Sequence, residues 1–190
     1  MSFSSQGPGA VALGDADRAA AVAAIKAGLR VALADDDALI GAFAETALGL
    51  AEHFTGRVMI TRALTVVLPA LCGWQRLGLV PVRSITQVAG LASDGSAVTL
   101  PPVDYAIDID SAGEGWVRIA DAGGASRVQV AATAGLADNW ASLPAPIREG
   151  TVLLASYLYT ARDTAQPPPA AVTALWRPWR VLALAPAGHA

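Results

Sequence analysis

The sequence predicts an α+β fold: a helical bundle of about four helices, a small antiparallel β-sheet inserted between helices 2 and 3, and a C-terminal docking tail. Apolar residues recur at a helical period near both ends of the chain. Between them, short β-branched segments alternate with Gly- and Asp-containing turns. Three consecutive prolines, 167–169, then separate the last segment from the preceding helix, because proline lacks an amide donor.

The first 16 residues predict a flexible N-terminal arm, since they contain several glycines and neither Lys nor Arg. A first helix is predicted from Asp17 to about Leu29, where Val22 and Ile25 lie on one face. Asp15 and Asp17 are the residue types that cap a helix and interact favourably with its N-terminal dipole.

A second helix is predicted from Asp35 or Asp36 to Thr55. Its apolar positions keep a period of 3.6 residues, an acidic cap opens it, and Gly56 closes it. The aspartate run at 35–37 is therefore interpreted as a helix cap and not as a metal site.

The β insertion is predicted to span about residues 58–133. The Asp94–Gly95 pair favours a tight hairpin turn because both residues tolerate positive φ angles. The predicted strands are residues 58–68, 82–91, 97–100, 105–109, 116–119 and 127–132.

A third helix is predicted up to about Arg162, with Pro144 and Pro146 in a first turn that tolerates proline. The α+β domain would thus cover residues 17–166. Residues 167–190 form the predicted C-terminal tail, in which Pro178 bends or ends any helix.

Composition limits the possible function. Hydrophobic residues make up 54% of the chain and charged residues 15%, so part of an unusually apolar surface is expected to contact a partner. The net charge of −3 argues against a surface that holds nucleic acid through its phosphates. The longest apolar run is shorter than a membrane span, so no membrane association is expected, and one cysteine cannot form an internal disulfide.

Several local motifs occur in a characteristic order, and together they resemble the head-to-tail connector (adaptor) family of long-tailed phages and phage-like gene transfer agents. The resemblance covers about Ile25 to Leu184. The motifs are GLRV at 28–31, DDDALI at 35–40, EHFTGR at 52–57, VRSITQV at 82–88, DG at 94–95, DYAID at 104–108, ATAG at 132–135 and LPAPIR at 143–148.

The resemblance implies a structural subunit of the virion, located at the head–tail interface of the capsid vertex and assembled in the cytoplasm of a bacterial host. It implies a homo-oligomeric ring, typically of twelve copies, stacked under the portal protein. Double-stranded DNA would pass through the channel without specific binding, and a stopper or tail terminator would attach on the tail side. It implies no cofactor and no enzymatic turnover.

Residues 176–182, which we call the C-terminal strip, are the predicted portal-docking segment. The reason is that Trp and Arg dominate binding hot spots. The alternative is that its tryptophans fold back onto the chain's own helices. Arg57, Arg62 and Arg83 are predicted at contacts between ring neighbours, with pairing to nearby acids as their alternative. The predicted docking residues are Trp176, Arg177, Trp179, Arg180 and Leu182.

No catalytic or metal site is predicted. Asp104, Asp108 and Asp110 are spaced to share a strand face, but no ligand loop accompanies them, so a solvated face is the preferred interpretation. The two histidines, His53 and His189, have no nucleophile and acid placed to complete a triad.

Two alternative functions are kept. The nearer one is another ring component of the same particle, a head-closing stopper or a tail-end protein. The more distant one is a free-standing small-molecule-binding protein or enzyme with a site in the β insertion. A deep polar pocket in a monomer would favour that last alternative.

Overall fold

A computed structural model describes residues 9–32, 34–161 and 167–181. The chain forms an α+β fold with four helices and seven strands in those ranges. The helices are α1 (Asp15–Leu29), α2 (Asp37–Thr55), α3 (Ala145–Thr160) and α4 (Ala170–Trp176). The strands are β1 (Arg62–Pro69), β2 (Gln75–Arg76), β3 (Val82–Leu91), β4 (Ala97–Thr99), β5 (Tyr105–Ile109), β6 (Gly115–Ile119) and β7 (Arg127–Ala134).

The four helices share one hydrophobic core. Ile25 of α1, Leu48 of α2 and Ile147 of α3 are fully buried in it. Gly56 ends α2 in the left-handed conformation, with a φ of 70°, as its position after the periodic segment predicts. None of the helices in the described ranges combines the length and apolar character needed to cross a membrane.

The β insertion forms two antiparallel sheets and not the single sheet predicted. The larger has the strand order β1-β7-β3-β4, and the smaller has the order β2-β6-β5. They share a second core that includes Val88, Val117 and Val130. Because β1 and β7 pair along their whole length, from Arg62 opposite Ala134 onward, the insertion leaves and rejoins the helices at one place.

Most predicted strands are confirmed, and the Asp94–Gly95 turn joins β3 to β4, with Gly95 at a φ of 85°. The prediction that a strand begins at Val58 is wrong. Val58 bonds through its amide to the carbonyl of Val80, and the sheet begins at Arg62. The two-residue strand β2 was not predicted, since two residues show no periodicity.

The predicted N-terminal arm needs correction for the residues that the structure describes. α1 begins at Asp15, and the preceding segment packs against α2. Leu13 is buried and its amide donates to Glu45, while the amide of Gly9 donates to Glu52. Residues 1–8 lie outside the described ranges. The segment from Gly9 onward belongs to the helical core because α2 supplies acceptors for its amides.

The predicted tail also begins inside the helical core. Val172 and Trp176 of α4 are buried and belong to the same cluster as α1, α2 and α3. The chain continues after α4 as a single 3₁₀ turn, residues 177–179, which contains Pro178 as predicted for a helix end. Truncation after Pro169 would therefore remove part of the helical core, so the tail is not separate from the domain as its predicted bounds imply.

Candidate interaction surface

The C-terminal strip is attached to the end of α2 and to α3. The indole N–H of Trp176 donates to the carbonyl of Ile147 at 3.3 Å, and the Trp176 and Phe54 ring centroids are 6.1 Å apart. Gly150 permits this approach, because a Cβ there would lie 2.3 Å from the indole nitrogen. Trp176 therefore folds back onto the chain's own helices, the alternative considered for it from sequence.

The residues after Trp176 are more accessible. Arg177 and Arg180 are exposed and Trp179 is half-buried. The guanidinium of Arg180 lies 5.3 Å from the centroid of the Phe54 ring, within the range of a cation–π contact. Leu182 lies outside the described residues. The strip thus has one buried anchor, Trp176, followed by two exposed arginines and one half-buried tryptophan.

An apolar groove of about 390 Å³ lies beside the strip, between α2, α3 and α4. Leu50 and His53 of α2 form one wall, and Leu154 and Val172 form the other. Leu50 remains 47% exposed, although it continues the apolar face of its helix. The groove adds apolar area next to the exposed arginines of the strip, a combination typical of protein-binding surfaces.

The three arginines predicted at subunit contacts each have partners within the chain. Arg57 donates through Nε to the carbonyl of Trp179 at 2.9 Å, and so holds the strip against the end of α2. Arg62 donates through both terminal nitrogens to Glu52, which is fully buried. Arg83 bonds to the Gly135 carbonyl and to Asp138, and its side chain remains 41% exposed.

The aspartates singled out from the sequence serve structural contacts. Asp110 follows β5 and accepts bonds from the amides of Ala112 and Glu114 and from the Trp116 indole at 3.1 Å. The Glu114 amide, followed by the Trp116 indole, holds the pKa of Asp110 below its ordinary value. Asp104 precedes β5 and Asp110 follows it, so only Asp108 lies on the strand. The predicted shared strand face is therefore wrong for Asp104 and Asp110.

The acidic residues near the helix starts connect helices to one another. Asp36 is the N-cap of α2 but makes no side-chain cap bond, and its carboxylate accepts the hydroxyl of Tyr159 at 2.6 Å. The carboxylate of Asp37 accepts a hydrogen bond from the ammonium group of Lys26 at 2.6 Å. Asp17 accepts the amide of Trp140 at 2.8 Å, and Gly14 is the N-cap of α1. The predicted side-chain capping is therefore wrong for both helices.

A second arrangement of Trp and Arg side chains was missed from the sequence. Pairing of β2 with β6 places Arg76 opposite Trp116. The Arg76 guanidinium lies 5.7 Å from the Trp116 ring centroid, and the Arg118 guanidinium lies 5.4 Å from that of Trp74. We call these four residues the Trp–Arg ladder. The sequence signal that could have predicted it was the Trp-X-Arg spacing, which occurs at 74–76 and again at 116–118. When two such segments pair in antiparallel fashion, the Trp of each lies opposite the Arg of the other.

Within the part of the chain that the structure describes, the potential ligand side chains do not assemble a metal site. No group of three or more His, Cys, Asp or Glu side chains lies close enough there to hold a metal ion. Cys72 is exposed on the loop between β1 and β2. His53 lies at the end of α2 against the backbone of Gly9. Cys72 and His53 thus lie on separate elements of the fold.

The fold is similar to that of chains in solved gene transfer agent (GTA) particles. A chain in the neck of a native GTA particle, computed with C12 symmetry, has a TM-score of 0.71 and 24% identity over 92% of this chain and 94% of that chain. A chain in the neck of an empty GTA particle, computed with C6 symmetry, has a TM-score of 0.69 and 24% identity over 86% of this chain and 90% of that chain.

A third similar chain comes from the virion of a native GTA particle, with a TM-score of 0.70 and 23% identity over 92% of this chain and 95% of that chain. No protein-family model matches the sequence, and no curated protein matches it. The fold is therefore shared with these particle components across both the helices and the sheets, while sequence identity stays below one quarter.

Proposed function

We propose that this chain is a structural subunit of the neck of a gene transfer agent or tailed-phage-like particle. The observation that carries the proposal is the likeness to neck chains of GTA particles, which extends over 86% and 92% of this chain. Coverage of that extent must include parts of both the helical core and the β insertion, since neither alone accounts for it. The role needs no catalysis, in keeping with polar side chains that serve as structural contacts.

Within the neck, we propose the role of head-to-tail connector (adaptor). By analogy with the C12 symmetry of the similar neck, the chain would form a ring of twelve copies beneath the portal protein at the capsid vertex. The ring would continue the DNA channel and present a platform to a stopper or tail terminator. A net charge of −3 suits a channel through which double-stranded DNA slides without being held.

The C-terminal strip is the proposed portal contact. Trp176 anchors it internally, and Arg57 fixes its direction through the Trp179 carbonyl. Arg177, Trp179 and Arg180 would then face the portal from a preorganised backbone, which lowers the entropy lost on binding. Leu182 would extend the same contact. The adjoining apolar groove offers room for a portal side chain or helix.

Of the three proposed inter-subunit arginines, Arg83 is placed best, because much of its side chain is exposed beside Asp138. We assign Arg57 and Arg62 mainly to holding the strip and the β insertion in the orientation that a ring requires. Their contribution to assembly would then be indirect, through the geometry of the subunit.

The test is reconstitution with a purified portal of the same particle, imaged by electron microscopy. The expected result is a ring of this chain stacked on the portal with the strip at the contact. The variant Arg177→Ala/Trp179→Ala should lose portal binding while remaining folded. Arg148→Ala, at the start of α3, is the control and should bind normally.

Each other outcome is informative. A ring found at the tail side of the neck would reassign the chain as a stopper or tail-end protein. A chain that binds neither portal nor another neck component, and occurs outside particles, would contradict the neck role altogether. Binding that persists in the double variant would contradict the strip as the portal contact and leave the neck role intact.

A further inference from the structure

The apolar groove between α2, α3 and α4 lies next to Gly9, the first residue of the described ranges. Gly9 packs against the imidazole of His53 so closely that a Cβ on Gly9 would be 1.9 Å from Nε2. The same imidazole lines the groove together with Leu50 and Phe54. One side chain of α2 thus contacts Gly9 and borders the groove.

The N-terminal segment runs along α2 towards this groove. The amide of Leu13 donates to Glu45, and the amide of Gly9 donates to Glu52, about two turns further along the helix. Gly49 lies under this segment, because a Cβ there would be 2.4 Å from the carbonyl oxygen of Gly9. Followed towards lower residue numbers, the chain therefore reaches the C-terminal half of α2, and the residues before Gly9 start beside the groove.

The groove has the chemistry to receive an apolar side chain. Its volume is about 390 Å³, and none of the described residues that line it is an aspartate, glutamate, lysine or arginine. Leu50 is 47% exposed at its mouth, while Val172 and Trp176 are buried at its base. Covering such a surface with another apolar group removes apolar area from water and is favourable.

Phe3 is a large apolar residue within reach of the groove. It belongs to residues 1–8, and six residues separate it from the fixed position of Gly9. Six residues at full extension span about 20 Å, and an α-helix with its side chains is about 10–12 Å wide. The segment is therefore long enough to pass over His53 and bring the Phe3 ring to the groove.

The other segments outside the described ranges fit the groove less well. Residues 162–166 are Arg-Asp-Thr-Ala-Gln and offer no large apolar side chain. Residues 182–190 contain leucines, but they follow Val181, which lines a different cavity together with Gly56 and Leu77. The amide of Val181 is also held there by the carbonyl of Thr55. Of the three segments, residues 1–8 alone combine an aromatic side chain with a starting point beside the groove.

We propose that the residues before Gly9 cross His53 and that Phe3 inserts its ring into the apolar groove of the same copy. The ring would lie against Leu50 and cover the base formed by Trp176. The contact concerns one copy alone, so it goes beyond the neck function and does not rest on it. A portal side chain that enters the groove would first have to displace Phe3.

A double-mutant cycle tests the contact between Phe3 and Leu50 in the 190-residue chain. Phe3→Ala and Leu50→Ala each remove one side of it, and urea unfolding gives the unfolding constant of each variant and of the double variant. The expected coupling is about threefold or more in that constant, because each change removes the partner of the other. Phe3→Ala with Leu39→Ala is the matched control: Leu39 is 46% exposed at the other end of the same helix, and the two changes should be additive.

Photo-cross-linking identifies the occupant of the groove. A photoreactive phenylalanine analogue in place of Phe3 should join to residues 50–54 and 168–176. In an equal mixture of isotope-labelled and unlabelled chains, the cross-links should stay within one copy. The same analogue in place of Val98, which is 66% exposed in β4, is the control and should not join to the groove.

Additive effects of Phe3→Ala and Leu50→Ala would overturn the proposal, as would cross-links from position 3 that lie outside the groove. Cross-links between labelled and unlabelled chains would also overturn it, because a second copy would then fill the groove. Far-UV circular dichroism separates loss of the contact from loss of the fold. None of these measurements contains a portal, so the contact and the neck role can fail independently of each other.

Discussion

The carboxylate of Glu52 and the guanidinium of Arg62 form a bidentate ion pair, with O–N distances of 2.6 and 2.7 Å. The same carboxylate also accepts the amides of Gly9 and Met59, at 2.8 and 2.9 Å. Glu52 is fully buried, and 18% of the Arg62 side chain is exposed. One side chain of α2 thus holds the N-terminal segment, the connection after α2 and the first strand of the β insertion.

Glu52→Ala should lower the free energy of unfolding by about 3 kcal/mol, the low end of the range for breaking a buried pair, because Arg62 keeps some access to water. Two backbone amides would also lose their acceptor. Urea unfolding at neutral pH measures the change. Arg18→Ala is the control, since 38% of the Arg18 side chain and 20% of the Glu45 side chain are exposed, so their pair is less buried than that of Glu52 and should contribute about 1 kcal/mol. Equal losses in the two variants would contradict the role assigned to Glu52.

Two glycine-to-alanine changes should have opposite signs. At Gly150 the new methyl group would lie 2.3 Å from the Trp176 indole nitrogen, so Gly150→Ala should destabilise by about 1–3 kcal/mol through overpacking. At Gly28 the nearest atom is 3.7 Å away, in ordinary contact. Gly28→Ala, late in α1, should stabilise by about 0.5–1 kcal/mol.

Thermal unfolding of both glycine variants is the measurement. Intrinsic fluorescence adds a second readout, because displacement of Trp176 from the core should change the emission of Gly150→Ala only. A stable Gly150→Ala protein with unchanged fluorescence would show that α4 does not pack on α3 as described.

The hydroxyl of Tyr159 and the carboxylate of Asp36 link the end of α3 to the start of α2. Tyr159→Phe should cost about 1–1.5 kcal/mol of stability, the usual net contribution of one hydrogen bond. A double-mutant cycle with Asp36→Ala should give a coupling energy of about 1 kcal/mol, measured by urea unfolding. Additive effects of the two changes would show that Asp36 acts on α2 alone, as the cap predicted from sequence.

Asp110 should contribute to the acid sensitivity of the β insertion. The Glu114 amide and the Trp116 indole favour its ionised form, so its pKa in the folded chain is below the ordinary 3.8. A lowered folded pKa stabilises the fold above about pH 3.8, and this contribution is lost as the pH falls through the folded value. The wild type should therefore exceed Asp110→Asn in stability at neutral pH, and the difference should shrink below about pH 4.

Tryptophan fluorescence during unfolding at a series of pH values measures this difference. Asp108→Asn, at an exposed position of β5, is the matched control for replacing a carboxylate by an amide in the β insertion. A stability difference for Asp110→Asn that stays constant down to about pH 2 would contradict the assignment.

The sequence pattern was sufficient to predict those elements whose signals lie within a few neighbouring residues. The period of α2 and the glycine after Thr55 predicted both the helix and its end, and Asp94–Gly95 predicted the hairpin. The same reasoning could not divide the β insertion into two sheets. Which strands pair depends on contacts between residues far apart in sequence, such as Arg62 opposite Ala134.

The sequence by itself determined the α+β class, the order of the main elements, and the placement of tryptophan and arginine in the C-terminal strip. Only the tertiary structure decided what those side chains do: Trp176 became a core residue, Arg62 the partner of Glu52, and the two Trp-X-Arg segments a ladder. The physical reason is that propensity, capping glycines and turn residues act over a few neighbours. Burial, ion pairing and cation–π contacts arise only when the folded backbone brings distant residues together.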